Sequence, residues 1–273
     1  MGNVERENEE KSLEKNKLMK ELNGSLHAFH WFIIIIISLF ITILAWYFSQ
    51  KQLDLKIEAQ FSRQSEQVIH LVLERLEKYE DALWAGVAVV QSNDGLMDYN
   101  SWKKYVSNLN LLSKYPGING LGVIEEVPPE RLENYLMIQR KNKPNFKIFP
   151  KHDSDIFYPI SYVFPEKQNS KAFGLDIAHE KNRLSGLLKA KNSGLAKITA
   201  PIVLVQDSQK TPGFLFYTPF YRVEKNAIGI LKDKEFVGSV YAPFIVDKLM
   251  RGVLSQKNRM VGIQIKDKNI ILY

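Results

Sequence analysis

The chain has 273 residues, 45% of them hydrophobic and 25% charged, with a formal net charge of +7; that is enough apolar material for one large or two small packed domains. It contains no cysteine, which excludes disulfides, zinc–thiolate and iron–sulfur sites and thiol catalysis. The basic excess is spread along the chain rather than gathered on one helix, which argues against nucleic-acid binding and suits an anionic membrane surface.

In chain order, the first segment is a charged tail, residues 1–28, without aromatics before Phe29 and expected to be disordered or loosely helical. Phe29 to Phe48 then reads FHWFIIIIISLFITILAWYF, with no Asp, Glu, Lys or Arg. Such a run of about 20 residues matches the hydrocarbon thickness of a bilayer. Trp31 at one end and Trp46-Tyr47 at the other supply interfacial aromatics. The run is too long, and its end too bulky, for a cleaved signal peptide. Arg6, Lys11, Lys15, Lys17 and Lys20 precede it, whereas Lys51, Lys56 and Arg63 follow. The positive-inside rule therefore puts the N-terminus in the cytoplasm and the bulk of the chain outside.

Residues 49–92 lack proline, and Leu53, Ile57, Phe61, Val68, Val72, Leu76, Tyr79, Leu83, Val87 and Val90 recur at helical spacing. This predicts a long stalk helix whose apolar stripe packs on the following domain or on the same helix of a second copy. Asn93-Asp94-Gly95 predicts a turn. Beyond it the pattern becomes mixed. Strand-like runs cover Ile118–Ile124, Phe146–Phe149, Phe157–Phe164, Phe214–Tyr221, Phe236–Tyr241, Val261–Ile265 and Ile270–Tyr273. Helical runs begin at Pro128-Pro129, at Glu180 (stopped by Gly194) and at Pro243 (to Leu254). The expected class is α+β, with an N-terminal transmembrane helix, a stalk and antiparallel pairing.

Ordered local motifs then converge. They are Tyr115-Pro116-Gly117-Ile118-Asn119-Gly120, Val127-Pro128-Pro129-Glu130, Tyr158-Pro159-Ile160-Ser161-Tyr162, Phe173-Gly174-Leu175-Asp176, Thr199-Ala200-Pro201-Ile202 and Gly213-Phe214-Leu215-Phe216-Tyr217. In order and spacing they resemble the CHASE domain, the extracellular sensor of many bacterial receptors and of plant cytokinin receptors. The resemblance implies a stalk helix followed by two PAS-like subdomains, the membrane-distal one binding a small ligand, and dimers formed through the stalk. On that basis the expected divisions are 1–28 cytoplasmic tail, 29–48 transmembrane helix, 49–92 stalk, 93–225 distal ligand-binding subdomain and 226–273 part of a proximal subdomain. The family's second membrane helix and output domain are not among these residues. A receptor cut short, a broken gene and a stand-alone fragment stay open.

By resemblance to the cytokinin-binding members, the ligand-binding positions are Glu166, Leu188, Thr199, Phe214 and Tyr217, with Glu166 offering a carboxylate to N–H groups of an adenine-like ligand or other small metabolite. Each has a plainer reading: Glu166 as a solvated loop charge, Leu188 as core, Thr199 as a strand residue. Asp176 is expected to shape a turn and Arg222 to form a surface ion pair. His152, Asp153 and Asp155 share a polar loop, in which solvated charges outweigh a metal site. No catalytic residue, metal or cofactor is expected. H-E-x-x-H, G-x-G-x-x-G and G-x-S-x-G patterns are all absent. The expected partners are a small-molecule ligand, membrane lipid and a second copy. The expected location is the inner membrane, single-pass, with the bulk periplasmic or extracellular. The alternative function is a non-signalling dimerisation fragment that modulates full-length receptors.

Overall fold

The computed structural model describes residues 2–92, 98–205, 210–225, 231–253, 262–267 and 270–273. It divides into two compact units, Met1–Gln64 and Ser65–Tyr273. Helix α1 is continuous over Gly2–Gln91, a span without proline and so without a residue that forces a break. The charged tail, expected to be disordered or loosely helical, is part of this helix from Gly2 on.

In the first unit the apolar run of α1 is bare. Trp31, Ile35 and Phe40 are 65%, 62% and 60% exposed. The helix is long and apolar enough to cross a membrane, and none of that window is buried. A helix that is apolar all round and packed against nothing is suited to lipid rather than water.

In the second unit, α2 (Tyr99–Leu109) is capped by Asp98, whose carboxylate accepts from Ser101 N at 2.9 Å. A short α3 (Leu111–Lys114) follows. Next come β1 (Leu121–Glu125), α4 (Leu132–Asn142) entered through the 3-10 turn at Pro129–Arg131, β2 (Ile160–Phe164), α5 (Glu166–Asn169) and α6 (Lys181–Ser193). The Glu180 carboxylate caps α6 by accepting from the backbone N–H groups of Asn182 and Arg183, and left-handed Gly194 (φ 69°) ends it as the sequence predicts. Strands β3 (Lys197–Ile198), β4 (Ile202–Val203), β5 (Pro212–Lys225) and β6 (Leu231–Ile245), helix α7 (Val246–Val253), and a small pair, β7 (Lys266–Asp267) with β8 (Ile270–Ile271), complete the order.

The main sheet runs β2-β1-β6-β5-β3, with β4 also on β5, and every pairing is antiparallel. Because side chains alternate between faces, it has two cores. On one face Tyr79, Leu83, Val87 and Val90 of α1, with Trp102 and Val106 of α2, pack against Leu121, Val123, Phe216, Val240 and Phe244. On the other, Leu187 and Ala190 of α6, with Leu175 and Ile177, pack against Ile124, Val163, Leu215, Tyr217 and Tyr241. A satellite of Val127, Tyr135 and Phe146 lies under α4.

Strand β6 lies between β1 and β5, so residues 231–245 belong to the same sheet as β1–β5. Two expectations change. The helix expected from Pro243 starts at Val246 instead, because β6 continues to Ile245, with Pro243 paired to Leu215 and its carbonyl accepting from Asn119 N at 2.8 Å. Of the strands expected at Val261–Ile265 and Ile270–Tyr273, the second shortens to β8, while its partner β7 forms at Lys266–Asp267, past the first range. Val261 and the 93–95 turn lie outside the described residues.

Burial of neutral phenols gives the fold an alkaline limit. Desolvation pushes Tyr79 and Tyr162 up to about 12 from 10.0. The unfolded chain therefore loses these protons first, so their contribution is complete below pH ~10 and lost as pH rises toward 12. Denaturant midpoints should be level from pH 7 to 9 and fall steadily above 10; a midpoint unchanged at pH 11 contradicts this.

Candidate functional site

Glu166 opens α5 directly after the cis Phe164–Pro165 bond. The Tyr99 hydroxyl donates to its Oε1, and Lys143 Nζ lies 3.2 Å from its Oε2. Burial, reinforced by this carboxylate, pushes the Tyr99 phenol up to about 12. The Lys143 ammonium also sits 4.0 Å from the Phe173 ring centroid. Glu166 is thus held by a donor from α2 and a cation from the end of α4, rather than hanging in solvent.

Two hollows meet at this carboxylate. One, of about 430 Å³, lies between α2 and the β2–α5 corner, lined by Lys103, Val106, Leu111, Phe164 and Glu166 among others. The second, of about 710 Å³, includes Lys143, Lys147, Phe149, Glu166 and Phe173 in its lining. Apolar walls with a few placed polar groups, at this size, are what a small-molecule site requires.

The other four sequence-chosen residues lie elsewhere. Thr199 is buried, and its Oγ1 accepts from Leu215 N at 3.1 Å. It follows β3, at the opposite edge of the sheet from β2, four strand spacings or about 19 Å away laterally. Leu188 stands half-buried on the flank of α6, and it is Leu187 that is fully buried in the layer below. Tyr217 is fully buried on the α6 face. Phe214 lies on the other face, stacked on Phe244 with centroids 5.0 Å apart. The structure therefore brings Thr199 and Tyr217 together around Gly186 of α6, with Glu166 and Phe214 apart from them.

Sequence reasoning missed Tyr99 and Lys143, the partners of Glu166. Tyr99 and Lys143 carry no local signal, because only the tertiary fold brings them to Glu166.

Asp176 shapes its turn as expected, accepting from Ala178 N at 2.9 Å, and it is also wholly buried. Its carboxylate takes Tyr158 N at 3.0 Å and His152 Nε2 at 2.8 Å, so the loop carrying His152 is tied into the core. Arg222 pairs with Glu235 at 3.8 Å. Among the described residues no cluster of three or more His, Cys, Asp or Glu could hold a metal ion.

The family model for the CHASE domain matches residues 95–271. No curated protein matches the chain.

Removing the Asp176 carboxylate strands the buried Tyr158 N–H, the part-buried Ala178 N–H and His152. Asp176→Ala should lower unfolding free energy by about 3–5 kcal/mol in urea titrations. A loss under about 1 kcal/mol would show the knot to be dispensable.

Proposed function

The chain belongs to the CHASE-domain family, and from that premise we propose that it is a membrane-anchored, extracytoplasmic sensor of a signal-transduction receptor that binds a small molecule beside Glu166. The observation that carries the site is the position of Glu166 on the shared wall of two hollows. Tyr99 and Lys143 each occupy one carboxylate oxygen. A carboxylate has about four lone-pair sites, so acceptor capacity is left for a ligand N–H. An adenine-like ring or another metabolite with N–H donors fits, with Phe149 and Phe173 as apolar walls. Leu188, Thr199, Phe214 and Tyr217 then act at a distance from that hollow, by shaping the sheet and its cover.

The division we favour keeps 1–28 as a cytoplasmic tail, 29–48 as the membrane span and 49–92 as the stalk, with the sensor running on through β6. The strand order, with helices on both faces, supports a PAS-like reading of that domain. The bare apolar run of α1 supports an inner-membrane anchor, and the Lys and Arg bias before it supports an inside N-terminus with the sensor in the periplasm or outside the cell. Leu53, Ile57 and Phe61 of α1, 51%, 57% and 58% exposed, supply an apolar stripe for a second copy.

Thermal-shift screening of the full chain in detergent with adenine derivatives and small amines tests the site. A bound compound at 100 times its Kd adds about 2.7 kcal/mol of stability, and Glu166→Gln should lose most of the shift. A folded protein that responds to none of them, or a response that Glu166→Gln leaves intact, contradicts the assignment.

Because the chain has no cysteine, Ile57→Cys gives a single reactive thiol. A membrane-impermeant bis-maleimide should convert that variant to covalent dimers on intact cells. Dimers formed only after permeabilisation would reverse the topology, and none in either case would remove the stalk dimer.

A further inference from the structure

The larger hollow beside Glu166, about 710 Å³, is lined by the cations Lys143, Lys147 and Lys167 and by a single acidic residue, Glu166. Lys143 is occupied by that carboxylate at 3.2 Å, with its ammonium 4.0 Å from the Phe173 ring centroid. Lys147 and Lys167 have no ion-pair partner among the described residues. Lys167 also lines the smaller hollow, where Lys103 adds a further cation. The amides of Asn142 and Asn145 and the Ser170 hydroxyl supply more donors to the same wall.

On open surface two such lysines would be neutralised by water and mobile ions, and would signify nothing. Here they stand in a concavity walled by Phe146, Phe149 and Phe173. Low-dielectric walls focus the field of like charges and concentrate an ion of opposite sign. The walls are also fixed before any ligand arrives. Phe149 is bonded on both sides, its N–H to Gly174 O at 2.9 Å and its carbonyl to Asp176 N at 2.7 Å. Arg140 Nε donates to Phe146 O at 3.2 Å. Gly174, at φ 75°, lies so near the Lys147 carbonyl that a Cβ there would come within 2.0 Å of its oxygen. Helix α5, which carries Lys167, is pinned by Asn169, whose Nδ2 donates to Pro165 O and Asn119 O, each at 2.9 Å. Walls held this way lose little freedom on binding.

We propose that the ligand of this hollow is anionic: a ring compound whose carboxylate or phosphate is taken by Lys147 and Lys167 while its N–H faces Glu166. This rests on the reading of the Glu166 hollow as the ligand site, and adds the charge of the ligand and the direction in which it lies. The ring packs against Phe149 and Phe173, and the oxyanion meets the lysines as charge-assisted hydrogen bonds.

The test is calorimetric titration of the full chain in a non-ionic detergent with two matched pairs. Adenosine 5′-monophosphate is compared with adenosine, and indole-3-carboxylate with indole-3-carboxamide. Every compound keeps an N–H for Glu166, and the pairs tell a phosphate from a carboxylate. In at least one pair the acid should bind about tenfold or more tightly than its uncharged partner at low ionic strength, with the advantage shrinking as salt is added. Lys147→Gln/Lys167→Gln removes two exposed charges. This variant should melt like the parent without ligand, lose the preference and still bind the uncharged partner, whereas Lys147→Arg/Lys167→Arg should keep the preference. Glu166→Gln should weaken both members of a pair alike. Equal affinities within both pairs, or a preference that survives in the glutamine double variant, overturn the inference and leave the Glu166 reading standing. Failure of all four compounds to bind the folded parent, or binding that Glu166→Gln leaves untouched, overturns the reading and the inference together.

Discussion

The residue-for-residue pairing of β5 with β6 governs the sensor domain. Phe216 opposes Ala242, Tyr217 opposes Tyr241 and Thr218 opposes Val240, so alternate residues are dealt to opposite faces. Phe216, Val240 and Phe244 meet α1 and α2, while Leu215, Tyr217 and Tyr241 meet α6. A slip of one residue in either strand would exchange these sets. A slip of β6 would drive the Tyr241 phenol into the layer now filled by Trp102 and Tyr79, and Val240 under α6; a slip of β5 would do the same to the Tyr217 phenol. The register is therefore fixed by the incompatible shapes of two cores, in addition to the backbone bonds of the hairpin.

The same pairing separates the polar features. Glu166 sits at the β2 edge, where the sheet meets α2 and α4, and its partners Tyr99 and Lys143 come from those helices. The Tyr217, Tyr241 and Arg183 group lies toward the centre, under α6. The first is open to solvent through two hollows, and the second is enclosed.

Much of this was legible in sequence because local rules decided it. Gly194 ended α6, Pro129 opened the turn into α4, and the apolar spacing of Tyr79, Leu83, Val87 and Val90 marked a helix face that is buried. Pro243 misled, since a proline ahead of an apolar helical pattern looks like a first turn, yet here the strand passes through it and the helix begins at Val246. Residues 226–273 look like a fresh start after a polar stretch, but antiparallel pairing of β5 with β6 across that stretch is a long-range fact that no local pattern carries. The site was legible one residue at a time and not as a set. Thr199 and Tyr217 are brought together, but Glu166 lies at the opposite edge and Phe214 on the other face, because distances across a sheet do not follow from spacing along the chain.

The packing also bears on how a ligand could be felt beyond its own pocket. Strands β5 and β6 are shared walls, with α6 on one side and α1 on the other. Tyr79 packs on Phe244 with ring centroids 5.3 Å apart, its hydroxyl donates to Pro116 O, and the Tyr105 hydroxyl holds Ala82 O of α1 at 2.8 Å. The Trp102 indole donates to Leu121 O at 3.3 Å, so α2 is bonded to the neighbouring strand as well as packed on it. Layers this dense do not deform independently. A change in the spacing between α6 and the sheet must either be absorbed by the β5–β6 hairpin or be passed to the α1 residues behind it. The hairpin is poorly able to absorb it, because β6 is bonded on both sides, to β1 and to β5. The rigidity of the central strand thus makes the Tyr79–Val90 segment of α1 the element on which the two faces of the sheet converge.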